Sequence, residues 1–200
     1  MKTIIITTAI LLVTVLGINR SAYAETSKDD QAYTVLTEKS AINKIEVYGN
    51  VELYVSDGAT DQVKVYNRYY KENAVVQNQN GTLRITSYKT EKLVVWVTAS
   101  DLRSLAVYDN AIVKSFGKLS AIDIDVQLYN TASAQLDLDA FQASITLNDN
   151  AKATLAGNIN QGALKYNHTS ILNTANLLTG NVIKKDMDDV QDNTADFVSL

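Results

Sequence analysis

The stretch LAVYDNAIV, Leu105–Val113, recurs in pattern three times further along the chain. The copies are VQLYNTASA at Val126–Ala134, ITLNDNAKA at Ile145–Ala153 and LKYNHTSIL at Leu164–Leu172. Each copy has a short strand, a polar corner rich in Asn, Asp or Thr, a small residue and a second short strand. Because one such unit cannot bury its own apolar face, a period of about 20 residues predicts a stacked β architecture.

Alignment of the four repeats places residues of one kind at each equivalent position. Two apolar columns result: Val107, Leu128, Leu147 and Tyr166, and then Val113, Ala134, Ala153 and Leu172. A column of small residues follows the corner: Ala111, Ala132, Ala151 and Ser170. The strands of a β-sandwich are joined by hairpins of variable length, so a period as regular as this one does not favour a sandwich. The sequence therefore predicts an all-β fold, a right-handed parallel β-helix with stacked coils of about 20 residues, preceded by an irregular N-terminal β segment.

The first residues carry the three parts of an export signal. Lys2 supplies a positive charge, Ile4–Leu16 an apolar run, and Ala22-Tyr23-Ala24 a cleavage site of the small-x-small type. We therefore predict a signal peptide over residues 1–24, cleaved after Ala24, and a periplasmic or secreted protein. The apolar run is short for a membrane-spanning helix and no second run of that length follows, so no membrane span is expected after cleavage.

The amino-acid composition excludes several classes of partner and cofactor. The chain carries 18 Lys and Arg against 22 Asp and Glu, a net charge of −4, and this field repels nucleic acid. The absence of Cys excludes disulfides, lipid attachment at cysteine and thiolate metal sites. With a single His, at position 168, zinc is not expected either. The sequence predicts no cofactor and no metal site.

Local signals place strands ahead of the repeats. Alternating apolar residues over Ile45–Val55 predict two short strands joined at Tyr48-Gly49-Asn50. Asn80-Gly81, between two alternating segments, predicts a β-hairpin. Leu93–Val97 reads LVVWV and is apolar on both faces, which is typical of a strand covered on both sides.

The patterning divides the chain beyond the signal into three segments. Residues 25–41 are polar and aperiodic, and they are predicted to form a flexible lead-in. Residues 42–185 are predicted to form a single β domain, with the repeats over about 104–183. Residues 186–200 form a charged tail, or a cap over the unpaired edge of the last strand.

Three stretches carry a family resemblance: KIEVYGNVELYV at Lys44–Val55, NGTLRI at Asn80–Ile85 and VTASDLRSL at Val97–Leu105. Together they resemble the head GIN domain family, and the resemblance extends over about residues 42–183. It implies an exported β protein of the kind found in Bacteroidetes, acting as the head of an auto-transporter adhesin. It supplies no catalytic residues.

Two pairs of acids raise an enzymatic alternative. Asp123 and Asp125 lie two residues apart, as do Asp137 and Asp139, so each pair would project from one strand face. Two carboxylates can act as acid and base on a glycosidic bond, which makes a polysaccharide hydrolase or lyase the alternative function. The repeat alignment places Asp139 near Lys118, however, and solvated surface pairs explain the acids more simply.

The Asn and Asp residues at the corners have two interpretations. Their carboxylate and amide oxygens, at Asp109 and Asp149 for example, are ligands that Ca²⁺ prefers. The same side chains also cap turns and tolerate left-handed backbone conformations, and we favour this second interpretation.

Tyrosines provide the best candidates for a contact surface. The segment Tyr66-Asn67-Arg68-Tyr69-Tyr70-Lys71 is dense in aromatic and polar groups, and tyrosines recur at the corners. Tyr offers a large amphipathic contact area, although it is also simply a good strand residue. The predicted contact residues are Tyr66, Arg68, Tyr69, Tyr70, Tyr108, Asp109, Asn110, Tyr129, Asn130, Asp149 and Asn150. The sequence thus favours a non-catalytic, adhesin-like binding or structural module at or outside the cell envelope, with a glycan or a cell-surface protein as partner.

Overall fold

Alternation of apolar and polar residues gives almost the whole described chain an extended conformation. The structure is a computed structural model and describes residues 33–36, 41–66 and 74–188. The strands are β1 (Tyr33–Leu36), β2 (Lys44–Gly49), β3 (Val51–Asp57), β4 (Gln62–Tyr66), β5 (Ala74–Gln79), β6 (Thr82–Ser87), β7 (Leu93–Ala99), β8 (Ser104–Val107), β9 (Ile112–Leu128), β10 (Ser133–Leu147), β11 (Lys152–Tyr166) and β12 (Ile171–Asp186).

The prediction of a right-handed parallel β-helix is wrong, because the 12 strands form one curled mixed sheet. Strand β4 pairs antiparallel with both β1 and β7, and β5 pairs antiparallel with β6. The order β1-β4-β7-β3-β9-β8-β2-β6-β5 also interleaves strands that are far apart in the chain. The predicted irregular N-terminal segment is therefore an integral part of the same sheet. A period measured only in the second half of the chain could not reveal these long-range pairings.

Within this sheet, β9 to β12 are long strands that pair in parallel, each with the next. The pairing aligns Val113 with Ala134, Ala134 with Ala153 and Ala153 with Leu172. It also aligns Leu128 with Val107 and Leu147. The predicted apolar columns are therefore confirmed as rows of neighbouring residues across the sheet.

The long strands bend around a common core. A straight strand of 17 residues would extend about 55 Å, yet Val113 and Leu128, near opposite ends of β9, belong to one cluster of buried residues. Buried positions along β9 change from odd to even between Leu119 and Ile124, and Ile122 between them is 83% exposed. Strand β9 thus turns a corner, and this bend helps to enclose the apolar side chains.

Glycine permits a close approach between two of the long strands. In β11, Gly162 has a φ of 147°, and a Cβ there would lie 1.9 Å from the carbonyl oxygen of Ala143 on β10. No side chain fits that distance, so only glycine allows β10 and β11 to remain paired at this corner.

The predicted hairpin is confirmed. Asn80 and Gly81 have φ angles of 51° and 79°, and they join β5 to β6. Two successive positive φ angles suit the right-handed twist of the flanking strands. In the predicted lead-in, Tyr33–Leu36 is a strand paired with β4. No helix in the described part of the chain has the length and apolarity needed to cross a membrane.

Candidate ligand-binding surfaces

The polar corners between strands are tight four-residue turns. The backbone N–H groups of Ala111, Ala132 and Ala151 donate to the carbonyl oxygens three residues earlier, at 3.2, 3.1 and 3.2 Å. All three alanines are fully buried, which explains the predicted column of small residues. The corner members of the predicted contact surface are Tyr108, Asp109, Asn110, Tyr129, Asn130, Asp149 and Asn150.

One residue at each corner links its turn to the neighbouring turn. Asp109, Asn130 and Asp149 have φ angles of 61°, 59° and 55°, in the left-handed region. A side-chain oxygen of Asp109 accepts a hydrogen bond from the backbone N–H of Gly49 at 3.1 Å. Asn130 accepts one from Asp109 N–H at 3.3 Å, and Asp149 accepts one from Asn130 N–H at 2.9 Å. These contacts support the interpretation of the corner acids and amides as turn-capping groups.

Three tyrosines form a stack beside these corners. The rings of Tyr48 and Tyr108 lie 4.5 Å apart and nearly parallel at 5°, and those of Tyr108 and Tyr129 lie 4.7 Å apart at 2°. Burial, followed by the charge of Glu46, raises the pKa of Tyr48 to about 12. Because each ring covers the face of the next, the stack offers mainly ring edges to a ligand. We therefore interpret the tyrosine stack mainly as a structural element and not as a ligand-binding surface.

A buried carboxylate lies next to the tyrosine stack. Glu46 is only 8% exposed, and it is 2.8 Å from the ammonium of Lys44 and 2.7 Å from the guanidinium of Arg84. The hydrogen bond from Lys44 and that from Arg84 hold the pKa of Glu46 below its ordinary value. Beside this group lies an open depression of about 350 Å³. Its lining residues are Glu46, Gln77, Gln79, Asn80, Thr82 and Arg84.

On another face of the sheet, five aromatic side chains from five strands form what we call the aromatic cluster. Its members are Tyr33, Tyr54, Tyr66, Trp96 and Phe116. Trp96 lies at the centre: its ring centroid is 4.7 Å from that of Tyr54, 5.0 Å from Phe116 and 6.4 Å from Tyr66. Tyr33 packs on Tyr66 at 5.1 Å. Phe116 and Tyr33, at the outer positions, are 62% and 51% exposed.

Two lysines lie beside the aromatic cluster, Lys64 near Tyr33 and Lys114 at 5.6 Å from the ring centroid of Tyr54. The ammonium of Lys64 lies 5.9 Å from the ring centroid of Tyr33. Lys114 is 2.8 Å from the carboxylate of Glu52, and Lys92 is 3.9 Å from it. The hydrogen bond from Lys114 is the main reason that the pKa of Glu52 lies below its ordinary value. The face thus combines exposed rings with more positive than negative groups.

A bulge presents Phe116 on this face. The residue offset between paired positions of β9 and β10 falls from 21 to 19 between Gln135 and Asp137, so β9 holds two extra residues there. Gly117, next to Phe116, has a φ of 82°, and nothing lies within 4 Å of the position that a Cβ would occupy. Bulges of this kind reorient side chains and are common at functional sites.

The structure divides the predicted contact residues between two surfaces. Tyr66 belongs to the aromatic cluster, whereas Tyr108 and Tyr129 belong to the tyrosine stack. Arg68, Tyr69 and Tyr70 lie outside the described residues. The other four members of the aromatic cluster were not predicted as contact residues.

The acid pairs of the enzymatic alternative do not face further acids across the sheet. Asp123 is paired with Gln142, and Asp125 with Ser104 and Ser144. The partner of Lys118 is Asp137 rather than Asp139, because the bulge in β9 shifts the register by two residues from the repeat alignment. This arrangement supplies no carboxylate pairing between strands that would suit catalysis on a glycosidic bond.

One group of described residues has the composition of a metal site. His168, Asp186 and Asp188 bring one nitrogen and two carboxylate oxygens within 4.8 Å of one another. In the structure the two ring nitrogens of His168 lie 3.1 Å from a carboxylate oxygen of Asp186 and 3.1 Å from one of Asp188. His168 N–H also donates to Asp188 at 2.7 Å, as in the corner contacts of the earlier repeats. The arrangement as it stands is a surface group in which the imidazole of His168 lies between two carboxylates.

Known proteins match this chain at the level of family and fold. No curated protein sequence matches it. A crystal structure of a "putative adhesin" from Parabacteroides distasonis ATCC 8503 is 12% identical, with 78% of this chain and 77% of that chain covered and a TM-score of 0.61. Another, from Parabacteroides merdae ATCC 43184, is 13% identical, with coverage of 78% and 77% and a TM-score of 0.55. At these identities the likeness concerns the fold alone.

The family itself is identified by sequence. A family model described as "Putative auto-transporter adhesin, head GIN domain" matches residues 41–185, most of the chain. This match confirms the resemblance carried by Lys44–Val55 and the later stretches. The chain therefore belongs to the head GIN domain family.

Proposed function

We propose that this protein is an exported, non-catalytic binding module of adhesin type that uses the aromatic cluster as its main contact surface. The observation that carries the proposal is the exposure of Phe116 and Tyr33 beside Trp96 on a face that also holds lysines. Large aromatic side chains at a surface dominate binding energy when a partner covers them. The family description and the names of the similar crystal structures support the same function.

The proposal also includes export from the cell and a contact role for residues 68–70. An adhesin acts at or beyond the cell envelope, which agrees with the predicted signal peptide over residues 1–24 and cleavage after Ala24. Arg68, Tyr69 and Tyr70 directly follow β4, which carries Tyr66, so we include them in the contact surface. The corner residues have a supporting role in the proposal, since their oxygens are engaged with backbone groups.

A screen of the purified protein against cell surfaces, cell-surface proteins and extracellular glycans tests this function. Phe116→Ala removes an exposed ring without opening the core, so we expect it to weaken binding about tenfold while the melting temperature stays unchanged. Ile122→Ala is the matched control, because Ile122 is also an exposed apolar residue of β9 and lies at a different corner. Its binding should equal that of the wild type.

Two results would count against the proposal. If Phe116→Ala and Ile122→Ala bind equally well, the aromatic cluster is not part of the contact surface. If the protein cleaves a polysaccharide and Asp123→Ala or Asp137→Ala abolishes this cleavage, the protein is an enzyme and the proposed non-catalytic function is wrong.

A further inference from the structure

A row of four side chains crosses the centre of the aromatic cluster from strand to strand. Lys64 on β4 is paired with Trp96 on β7, Trp96 with Tyr54 on β3, and Tyr54 with Lys114 on β9. Paired residues of neighbouring strands project from the same face of a sheet at a spacing of about 4.8 Å. The two lysines therefore flank two aromatic residues, with about 14 Å between their backbone positions.

This face is positive on a chain that is acidic as a whole. Lys64, Lys92 and Lys114 are countered by Glu52, whereas the net charge of the chain is −4. Among the described residues, no carboxylate lies within ion-pair distance of Lys64, whose ammonium lies instead near the Tyr33 ring. An ammonium beside an aromatic face remains available to a further anion.

The rings and the lysines together suit one class of ligand. The side chains of Phe116 and Tyr33 are more than half exposed, and a pyranose ring packs its apolar C–H face on aromatic rings. One sugar unit of an extended polysaccharide is close in length to the spacing between strands. A polysaccharide lying across the strands can therefore place sugar rings over the aromatic residues and acidic groups near Lys64 and Lys114. Carboxylate and sulfate groups fit the lysines equally well.

A peptide fits this face less well. A peptide that adds to a sheet does so at a free edge, where backbone groups are unpaired. Strands β7 and β3 are interior strands with partners on both sides, so this face offers no backbone hydrogen bonds to a peptide.

We infer that the aromatic cluster, with Lys64 and Lys114, binds an anionic polysaccharide laid across strands β4, β7, β3 and β9. The inference rests on the proposed function and names its ligand class. Stacking on the rings supplies affinity for the sugar, and the two lysines select for acidic groups on it.

The single tryptophan of the chain provides a direct readout, since Trp96 lies at the centre of the cluster. Titration of the full-length protein with alginate, a uronate polymer, and with chondroitin sulfate is expected to change the Trp96 emission saturably. Dextran, a neutral polysaccharide, should leave the emission unchanged. Alginate carries carboxylate groups only, whereas chondroitin sulfate carries both carboxylate and sulfate groups, so tighter binding of chondroitin sulfate would show a contribution from sulfate. Added salt should weaken binding, because ammonium contacts are screened.

Variants separate charge from stacking. Lys64→Gln with Lys114→Gln should weaken binding of the anionic polymer at least tenfold, and Phe116→Ala should do so about tenfold. Lys89→Gln and Phe141→Ala, which alter an exposed lysine and an exposed phenylalanine outside the aromatic cluster, should bind as the wild type does. A melting curve for each variant establishes that it is folded.

The outcomes distinguish the ligand class from the proposed function. Equal binding of dextran and the anionic polymers, or no effect of the lysine variants, overturns the inference. So does binding of an acidic peptide or of single-stranded DNA in preference to either polysaccharide. If no polysaccharide binds but adhesion to cell-surface proteins is lost in Phe116→Ala, the ligand class is wrong and the proposed function stands. If Phe116→Ala also leaves that adhesion unchanged, both fail.

Discussion

Asp109, Asn130 and Asp149 each combine a left-handed backbone conformation with an oxygen that accepts a hydrogen bond from the neighbouring corner. Asn and Asp adopt that conformation at lower cost than other residues that carry a side chain. Their side chains are also short enough to reach a backbone N–H one strand away. The two properties can be separated by substitution, since glycine retains the first and loses the second.

Asp149→Ala loses both properties, and we expect it to lower the free energy of unfolding by about 2 kcal/mol. Asp149→Gly loses only the hydrogen bond to Asn130 N–H and should cost about 1 kcal/mol. Asn150→Ala, at the adjacent exposed position, is the control and should stay within about 0.5 kcal/mol of the wild type. Urea denaturation measures all three. Equal effects at positions 149 and 150 would contradict the role given to the corner acid.

The half-buried phenol of Tyr48 predicts a loss of stability at high pH. Its pKa is raised from the ordinary 10.0 to about 12 in the folded protein, so the folded state holds the phenol proton more tightly than the unfolded chain. This contribution is complete below pH 10 and is lost as the pH rises through about 12. Absorbance titration of phenolate should show a late component that disappears in Tyr48→Phe. An identical titration curve for the variant would refute the assignment.

Among the elements, the corners of the long strands depend on glycine to different degrees. Gly162 has a positive φ and almost no space, because a Cβ would lie 1.9 Å from the carbonyl oxygen of Ala143. Gly117 has a positive φ of 82° but open space around it. The first position is limited by the approach of β10 to β11, and the second only by the backbone conformation.

Gly162→Ala should therefore be far more damaging than Gly117→Ala. We expect about 4 kcal/mol or more for the first, from backbone displacement, and about 1 kcal/mol for the second, from the left-handed conformation alone. Thermal and urea unfolding of the two variants provide the comparison. Similar losses at both positions would mean that β10 and β11 can separate at the corner without cost.

The repeats made the parallel register of β9 to β12 largely predictable, since equivalent residues share size and polarity. The bulge at Phe116 was not predictable in this way, because two extra residues in a strand leave the apolar columns at either side intact. The register error for Asp137 and Asp139 follows from it. Trp96 was missed for a related reason: LVVWV suggested a strand covered on both sides, whereas the tryptophan lies half-buried on the outer face.

On the scale of the whole molecule, the arrangement of the sheet depends on contacts between distant parts of the chain. Strand β9 lies between β3 and β8 on the main path of the sheet, and β2 lies between β8 and β6. Local patterns specify strands but not such partners, which is why the all-β class was predicted correctly and the β-helix arrangement wrongly. The aromatic cluster has the same origin, since its members come from β1, β3, β4, β7 and β9.

A shared core predicts that the described strands unfold together. Leu128 is fully buried where β8, β9 and β10 meet, so Leu128→Ala should cost about 3 kcal/mol and lower the single midpoint of unfolding. Leu178→Ala is the control, because Leu178 on β12 is 73% exposed and its loss should change little. Circular dichroism and tryptophan fluorescence should report the same midpoint. Separate transitions by the two probes would show that the sheet melts in parts.

The pairing of β10 with β11 keeps an offset of 19 residues at every position from Ser133 to Thr146. A duplication or deletion of that many residues at this place would give the next strand the same neighbours as before, whereas any other length would disrupt them. Evolution can therefore lengthen or shorten this end of the molecule by whole repeats. We expect relatives to differ in length by such steps, with the strands that carry the aromatic cluster left unchanged.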